Sequence, residues 1–141
     1  MKKNRDDIKK ILPHREPLLL VDEVIHMNTT EIEASLFIDP NMDILAGHFP
    51  GHPILPGIYI IEALAQTADL LLLSLPGNER RIPYFSSVVQ MRFLRPVCPG
   101  DTLTLKAALT AAAGAGLYEC RVTALHQDKK IASGILSLTL K

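Results

Sequence analysis

Ile58-Tyr59-Ile60-Ile61-Glu62-Ala63-Leu64-Ala65-Gln66-Thr67-Ala68-Asp69-Leu70-Leu71-Leu72-Leu73-Ser74-Leu75 is apolar on nearly every face of the helix it predicts. A run of about 18 such residues is long enough to raise the question of a membrane span. The polar residues answer it. Glu62, Gln66 and Asp69 stand at i, i+4 and i+7, so they form one polar stripe along an otherwise greasy helix, a poor arrangement for an isolated span in lipid. The stretch therefore predicts a buried helix of a globular protein, and the rest of the chain has to supply the surface that covers it.

That surface reads as a sheet. Leu103, Leu105 and Ala107 alternate with Thr102, Thr104 and Lys106, and Leu136, Leu138 and Leu140 alternate with Ser137, Thr139 and Lys141. Between them, Tyr118, Cys120, Val122 and Ala124 alternate with Glu119, Arg121 and Thr123. Each set predicts a half-buried strand, and Gly114-Ala115-Gly116 and Gln127-Asp128-Lys129 supply the turns of an antiparallel meander. Ahead of the long helix, residues 6–12 predict a short helix stopped by Pro13, and residues 18–25 and 31–38 predict strands about a turn at Asn28-Thr29-Thr30. Residues 75–81 predict a polar loop. With no repeat, linker or low-complexity tract, the 141 residues predict one domain over 1–141. Its class is α+β, an antiparallel β-sheet wrapped around a long central helix.

Lys plus Arg and Asp plus Glu both number 15, for a formal net charge of zero, so a general nucleic-acid surface is not expected. The N-terminal residues lead into a mixed-charge amphipathic segment instead of the apolar core of a signal peptide, which predicts a cytoplasmic protein. Cys98 and Cys120 are too few for a disulfide framework and lack metal-ligand spacing, so both are expected to be reduced and structural.

Immediately before the long helix, Gly47-His48-Phe49-Pro50-Gly51-His52-Pro53-Ile54-Leu55-Pro56-Gly57 packs three glycines and three prolines around two histidines. Such a backbone is allowed unusual dihedrals yet restrained from wandering, so His48 is held in place. A held histidine near a carboxylate on an apolar helix is an acid–base pair, and proton transfer is the chemistry it predicts. His52, four residues after His48, raises a metal pair. Pro50, Gly51 and Pro53 prevent the helical turn that would align the two rings, so no metal is expected and His52 reads as structural, with a cis peptide at His52-Pro53.

These residues resemble a known family. Leu12-Pro13-His14-Arg15, Leu19-Leu20-Val21-Asp22, the stretch Gly47 to Pro53, Leu55-Pro56-Gly57, Ile61-Glu62-Ala63, Ala65-Gln66, Arg92-Phe93, Arg95-Pro96-Val97 and Pro99-Gly100-Asp101 are similar, in that order, to the (3R)-hydroxyacyl-acyl-carrier-protein dehydratases. The similarity covers nearly the whole chain, the C-terminal strands by pattern alone. It implies a hot-dog fold, in agreement with the architecture reached from the patterns. It also implies that His48 and Glu62 are catalytic, and that each site is built across a homodimer, His48 of one subunit meeting Glu62 of the other, as a dimer or a trimer of dimers. A related branch that isomerises the double bond carries aspartate at the second position, so Glu62 points to the plain dehydratase. Acyl carrier protein bearing a 3-hydroxyacyl chain is the implied partner, and no cofactor is implied.

The chemistry explains those residue types. Eliminating water from a 3-hydroxyacyl thioester needs a base for the C2 proton and an acid for the departing C3 hydroxyl. Imidazole, with an unperturbed pKa of roughly 6.5, is a competent base near neutrality. A carboxyl beside an apolar helix is pushed toward its protonated form and can act as the acid. Negative charge develops on the thioester oxygen, and Gly57, at the helix start behind Pro56, offers a backbone N–H strengthened by the helix dipole. Gln66 and Phe49 are supporting candidates, Gln66 by orienting Glu62.

Against these stand plainer readings. His48 alone would be an ordinary loop histidine, and Glu62 alone a carboxylate paired with an arginine; the long motif and the kept spacing favour catalysis. Arg92 and Arg95, with Arg80 and Arg81, are candidates for a basic patch that receives an acidic carrier protein, against the alternative of solvated surface charge. Asp69 and Glu16 depart from the family pattern, which has a small residue and an aromatic there, and Asp69 is expected to border the acyl tunnel or to pair across a subunit interface. The alternatives to a dehydratase are a hot-dog acyl thioesterase and a non-catalytic acyl-thioester-binding module.

Overall fold

A computed structural model describes residues 2–141. Helix α1 (Arg5–Ile11) is closed by a capping box, in which Asn4 accepts from the Asp7 N–H and Asp7 accepts from the Asn4 N–H. Strands β1 (Glu23–Met27) and β2 (Glu31–Phe37) follow, then a short helix α2 (Asp43–Gly47) and the long helix α3 (Gly57–Leu73). Four strands complete the chain: β3 (Pro83–Phe93), β4 (Thr102–Gly114), β5 (Leu117–His126) and β6 (Lys129–Leu140). All six form one antiparallel sheet in the order β1-β2-β4-β5-β6-β3.

The apolar faces expected from the alternation are the buried ones. Leu103, Leu105 and Ala107 of β4, Cys120, Val122 and Ala124 of β5, and Leu136, Leu138 and Leu140 of β6 are all buried. They join Ile32, Ala34 and Leu36 of β2 in one core with Ala63, Leu64, Ala68 and Leu70 to Leu73 of α3. Burial at about 25 cal/mol per Å² makes this contact between α3 and the sheet the main stabilising term of the fold.

Two readings change. Residues 18–22 are not strand: Leu19, Leu20 and Val21 are buried, but as a strap whose backbone is satisfied partly by the Arg15 carbonyl and partly by side chains. The Leu20 N–H donates to Gln66 Oε1 at 2.8 Å, Gln66 Nε2 donates to the Leu18 carbonyl at 2.8 Å, and Arg5 Nη2 donates to the Leu19 carbonyl at 2.8 Å. An apolar run whose backbone bonds go to side chains has the composition of a strand without its ladder. Strand β3, in turn, has no sequence signature. Its pairing with β6 slips between Phe85 and Ser87 and again between Val89 and Arg92, and Gln90 has a φ of 53°. Each bulge flips which face the next side chain takes, so the two-residue period never develops.

The two edges of the sheet differ. On β1, Lys3 and Val24 exchange backbone hydrogen bonds of 3.0 and 2.8 Å, and α1 lies alongside. On β3, Phe85, Val88, Val89 and Phe93 remain 44–47% exposed, and Tyr84 and the following Leu94 are more exposed still. One edge is protected and the other is an apolar face with open backbone groups. Glu16, the departure in the N-terminal segment, bonds to Lys9 at 2.9 Å and Arg5 at 3.0 Å, which, with a backbone hydrogen bond, hold its carboxyl at about 2. No helix among the described residues is long and apolar enough to cross a membrane.

Candidate active site

The loop between α2 and α3 is fixed by its own backbone. The Phe49 N–H donates to the His52 carbonyl at 3.0 Å and the His52 N–H returns to Phe49 at 2.9 Å, a tight turn completed by Gly51 at a φ of 74°. The Ile54 N–H donates to the His48 carbonyl at 2.7 Å, and Leu55 N–H to Val97 at 2.8 Å. The cis peptides are His48-Phe49 and Glu16-Pro17 instead of His52-Pro53.

Inside this loop the His48 ring is oriented at one face and one edge. Nδ1 lies 3.0 Å from the Ile54 carbonyl, and the Phe49 ring stacks on it with centroids 4.2 Å apart. A carbonyl only accepts, so Nδ1 carries the proton of the neutral ring and the Nε2 lone pair is left for chemistry. His48 borders an open cleft of about 380 Å³ that it shares with Leu55, Gly57, Ile60, Phe93 and Arg95.

Helix α3 starts into that cleft. Its N-cap is Pro56, which provides no side-chain hydrogen bond, so Gly57, which lines the cleft, begins the helix without a capping side chain. A Cβ at Gly57 would stand 3.1 Å from two carbons of the Phe93 ring. Any larger residue there would have to displace the Phe93 ring by a few tenths of an ångström.

Glu62 lies one turn further along α3 and does not line the His48 cleft. Its neighbours are different: Gln66 Nε2 donates to Oε2 at 2.8 Å, and His14 Nε2 approaches the same oxygen at 3.6 Å. Gln66 is fully buried, and its amide is locked by the two bonds to the Leu18–Leu20 strap, so it presents a fixed donor to Glu62. His48 with Gly57 and Glu62 with Gln66 thus form two groups with separate surroundings in one chain.

His14 escaped the sequence reading. It was visible only as part of Leu-Pro-His-Arg, far from Glu62 along the chain, and nothing in its spacing announced the contact. Burial pushes its pKa down, Glu62 opposes that, and Arg15 adds to it, so the ring is neutral near pH 7.

Asp69 belongs to neither group. It is 3% exposed, and its Oδ1 has no hydrogen-bond partner among the described residues. A carboxyl already enclosed by its own chain has no surface from which to pair across an interface, which removes that expectation. Burial first, then Glu62, raise its pKa far above the ordinary carboxyl range. Cys120 lies in the same interior, and burial, with Asp69 and Glu119, pushes its thiol up to about 12. Cys98 is exposed, so the expectation of a structural role does not hold for it. The four arginines do not form one patch within a chain. Arg80 and Arg81 precede β3 and Arg92 and Arg95 close it, roughly 30 Å away at 3.3 Å per residue. All four are exposed. His48 and His52 belong to no group of three or more metal-binding side chains among the described residues.

The chain matches a protein-family model described as ApeI-like, ApeI dehydratase, over residues 24–135. It is 39% identical over 142 aligned positions to the 3-hydroxyacyl-(acyl-carrier-protein) dehydratase FabZ of Wolbachia sp. subsp. Drosophila simulans, covering 100% of this chain and 99% of that protein. The enzyme of that name from Chlamydia trachomatis is 41% identical, over 95% of this chain and 90% of that one. Among solved structures, the dehydratase heterocomplex ApeI:P from Xenorhabdus doucetiae superposes with a TM-score of 0.79 at 15% identity, over 95% of this chain and 90% of that chain. A hypothetical thioesterase with coenzyme A from Streptococcus pneumoniae superposes at 0.65 with 11% identity, over 84% of each. Both structures share the hot-dog arrangement of sheet and helix found here.

Proposed function

The chain belongs to the 3-hydroxyacyl-acyl-carrier-protein dehydratase family, and we propose that it removes water from (3R)-3-hydroxyacyl thioesters on acyl carrier protein with His48 and Glu62 as its acid–base pair. It is a hydro-lyase of acyl-chain biosynthesis. His48 Nε2 takes the C2 proton, and the C–H electron pair becomes the C2–C3 double bond as the C3–O bond breaks. Glu62 gives its proton to the departing hydroxyl, so a trans-2-enoyl thioester and water leave. The Gly57 N–H receives the charge that grows on the thioester oxygen, helped by the positive end of α3. Only protons and water move, so the reaction calls for no cofactor.

One observation carries this reading. His48, with its Nδ1 engaged by Ile54 and its Nε2 free, shares a cleft with the open helix N-terminus, and the Glu62 of its own chain is absent from that cleft. A second copy completes the site by bringing its Glu62 to this His48. The apolar edge of β3, which ends at Phe93 beside Gly57, supports a homodimer formed along that edge. Arg95, on the rim of the cleft, and Arg92, two residues into the strand end, are the cations proposed to receive the acidic carrier. One domain and a cytoplasmic location go with this reading, as does the reduced thiol of Cys120.

The test is a product assay. Purified protein is incubated with a series of 3-hydroxyacyl carrier thioesters, and enoyl thioester and free thiol are both recorded. Enoyl product that vanishes in His48→Ala and Glu62→Gln supports the assignment. Free thiol without enoyl product makes the protein a thioesterase, and neither product makes it a binding module.

A further inference from the structure

We propose that His14 is a positioning residue for Glu62: its neutral imidazole steers the Oε2 oxygen, and Oε1 is left as the oxygen that hands over the proton. The inference rests on the reading of Glu62 as the acid and goes a step beyond it, to which atom acts and what holds it.

The two carboxyl oxygens of Glu62 have unlike surroundings. Oε2 faces two nitrogens, Gln66 Nε2 at 2.8 Å and His14 Nε2 at 3.6 Å, while no described residue hydrogen-bonds to Oε1. Gln66 spends both its amide hydrogens, one on Oε2 and one on the Leu18 carbonyl, so it fixes the position of Oε2 but leaves the carboxyl free to turn about that one bond. A second donor from another direction removes this freedom. His14 is placed to be that donor, although 3.6 Å is longer than a formed hydrogen bond; catalytic contacts in an unliganded enzyme are often long and tighten when substrate binds.

The mounting of His14 favours the same role. Arg15 clamps the backbone around it, with Nη1 donating to the Leu12 carbonyl at 2.8 Å and the His14 carbonyl at 2.7 Å, and Nη2 donating to Lys9 at 3.0 Å. The ring itself is largely buried, and its Nδ1 has no hydrogen-bond partner. An apolar side chain would fill this space without leaving a buried nitrogen unpaired, so packing alone gives no reason for histidine here. If Nε2 is the nitrogen that carries the proton, it points that N–H at Oε2 and Nδ1 is a bare lone pair, the less demanding group to leave unpaired. Neutrality matters as well. A permanent cation beside Glu62 would hold the carboxyl ionised and take away its proton, whereas a neutral N–H supports the carboxylate only as it forms.

Isosteres separate positioning from bulk. Glutamine carries its amide nitrogen where His14 has Nε2, and asparagine where it has Nδ1. We expect His14→Gln to keep kcat within a fewfold of wild type, and His14→Asn and His14→Leu to lose roughly tenfold in kcat with KM unchanged. Placed on Glu62→Gln, His14→Leu should add no further loss, because the imidazole acts through a carboxyl that is already gone. Thermal melts accompany every variant, and the Gln and Asn pair alone carries the comparison if the Leu variant does not fold. Wild-type kcat in folded His14→Asn overturns the proposal, and so does a loss that His14→Gln fails to recover. If Glu62→Gln itself turns over normally, the reading of Glu62 as the acid fails first and the positioning role with it.

Discussion

Asp69→Ala should make this protein more stable, and should change how its stability depends on pH. The Asp69 carboxyl is 3% exposed with an unpartnered Oδ1, so its removal recovers the cost of a buried unsatisfied acceptor, about 1–3 kcal/mol. The space left by a carboxyl group, on the order of 30 Å³, returns about 0.7 kcal/mol as a cavity term. Net stabilisation is about 0.3–2.3 kcal/mol, and a chain of 141 residues, with an unfolding entropy near 0.3 kcal/mol/K, converts this to roughly 1–8 °C in Tm. The pH term has a definite sign. The folded-state pKa of Asp69 lies well above its ordinary 3.8, so above that pH the unfolded chain releases a proton that the folded chain keeps. The unfolded state then binds fewer protons, and wild-type stability falls by about 1.4 kcal/mol per pH unit until the folded carboxyl itself ionises. Urea unfolding of both proteins from pH 5 to 8, at matched concentration, measures both effects. Parallel pH profiles with no gain for Asp69→Ala would refute the reasoning and mean that the carboxylate is charged and partnered.

Gly57→Ala should lower kcat roughly tenfold to hundredfold, because its Cβ meets the Phe93 ring at 3.1 Å and pushes the first turn of α3 out of line with the thioester oxygen; steady-state kinetics beside a thermal melt separate this from unfolding. Glu62→Gln and His48→Ala should each lose at least a hundredfold in enoyl formation while keeping the melting profile of a folded protein, since the amide cannot donate a carboxylic proton and the base is gone. Lysine at both Val88 and Val89 should yield single chains in sedimentation and abolish activity together with the dimer, as charges on an edge strand oppose pairing with a second copy.

The legible part of the fold is the part where one physical rule acts alone. Strands β4, β5 and β6 carry a two-residue alternation over residues 102–107, 118–124 and 136–141, where one face lies in the core with α3, and α3 announces itself by being apolar all round with a single polar stripe. Strand β3 is illegible for the opposite reason: two bulges break the alternation, and its apolar residues are exposed instead of facing the core. The strap at Leu18–Leu20 has strand composition but takes its hydrogen bonds from Gln66 and Arg5, partners that no local pattern encodes. In the site, His48 and Gly57 are legible because glycine and proline must surround a backbone held this tightly. Glu62 is legible as a carboxylate out of place on a greasy helix. His14 reaches Glu62 only through the fold, and the partnerless state of Asp69 is a property of its three-dimensional surroundings.

Mixing His48→Ala with Glu62→Gln protein shows whether His48 of one chain works with Glu62 of another, as proposed. Each parent is inactive, but a heterodimer holds one site with both residues intact and one with neither. Random subunit exchange makes half the dimers mixed, each with one of its two sites intact, so about a quarter of wild-type enoyl formation should return. Verified heterodimers with no activity above either parent would contradict the shared site.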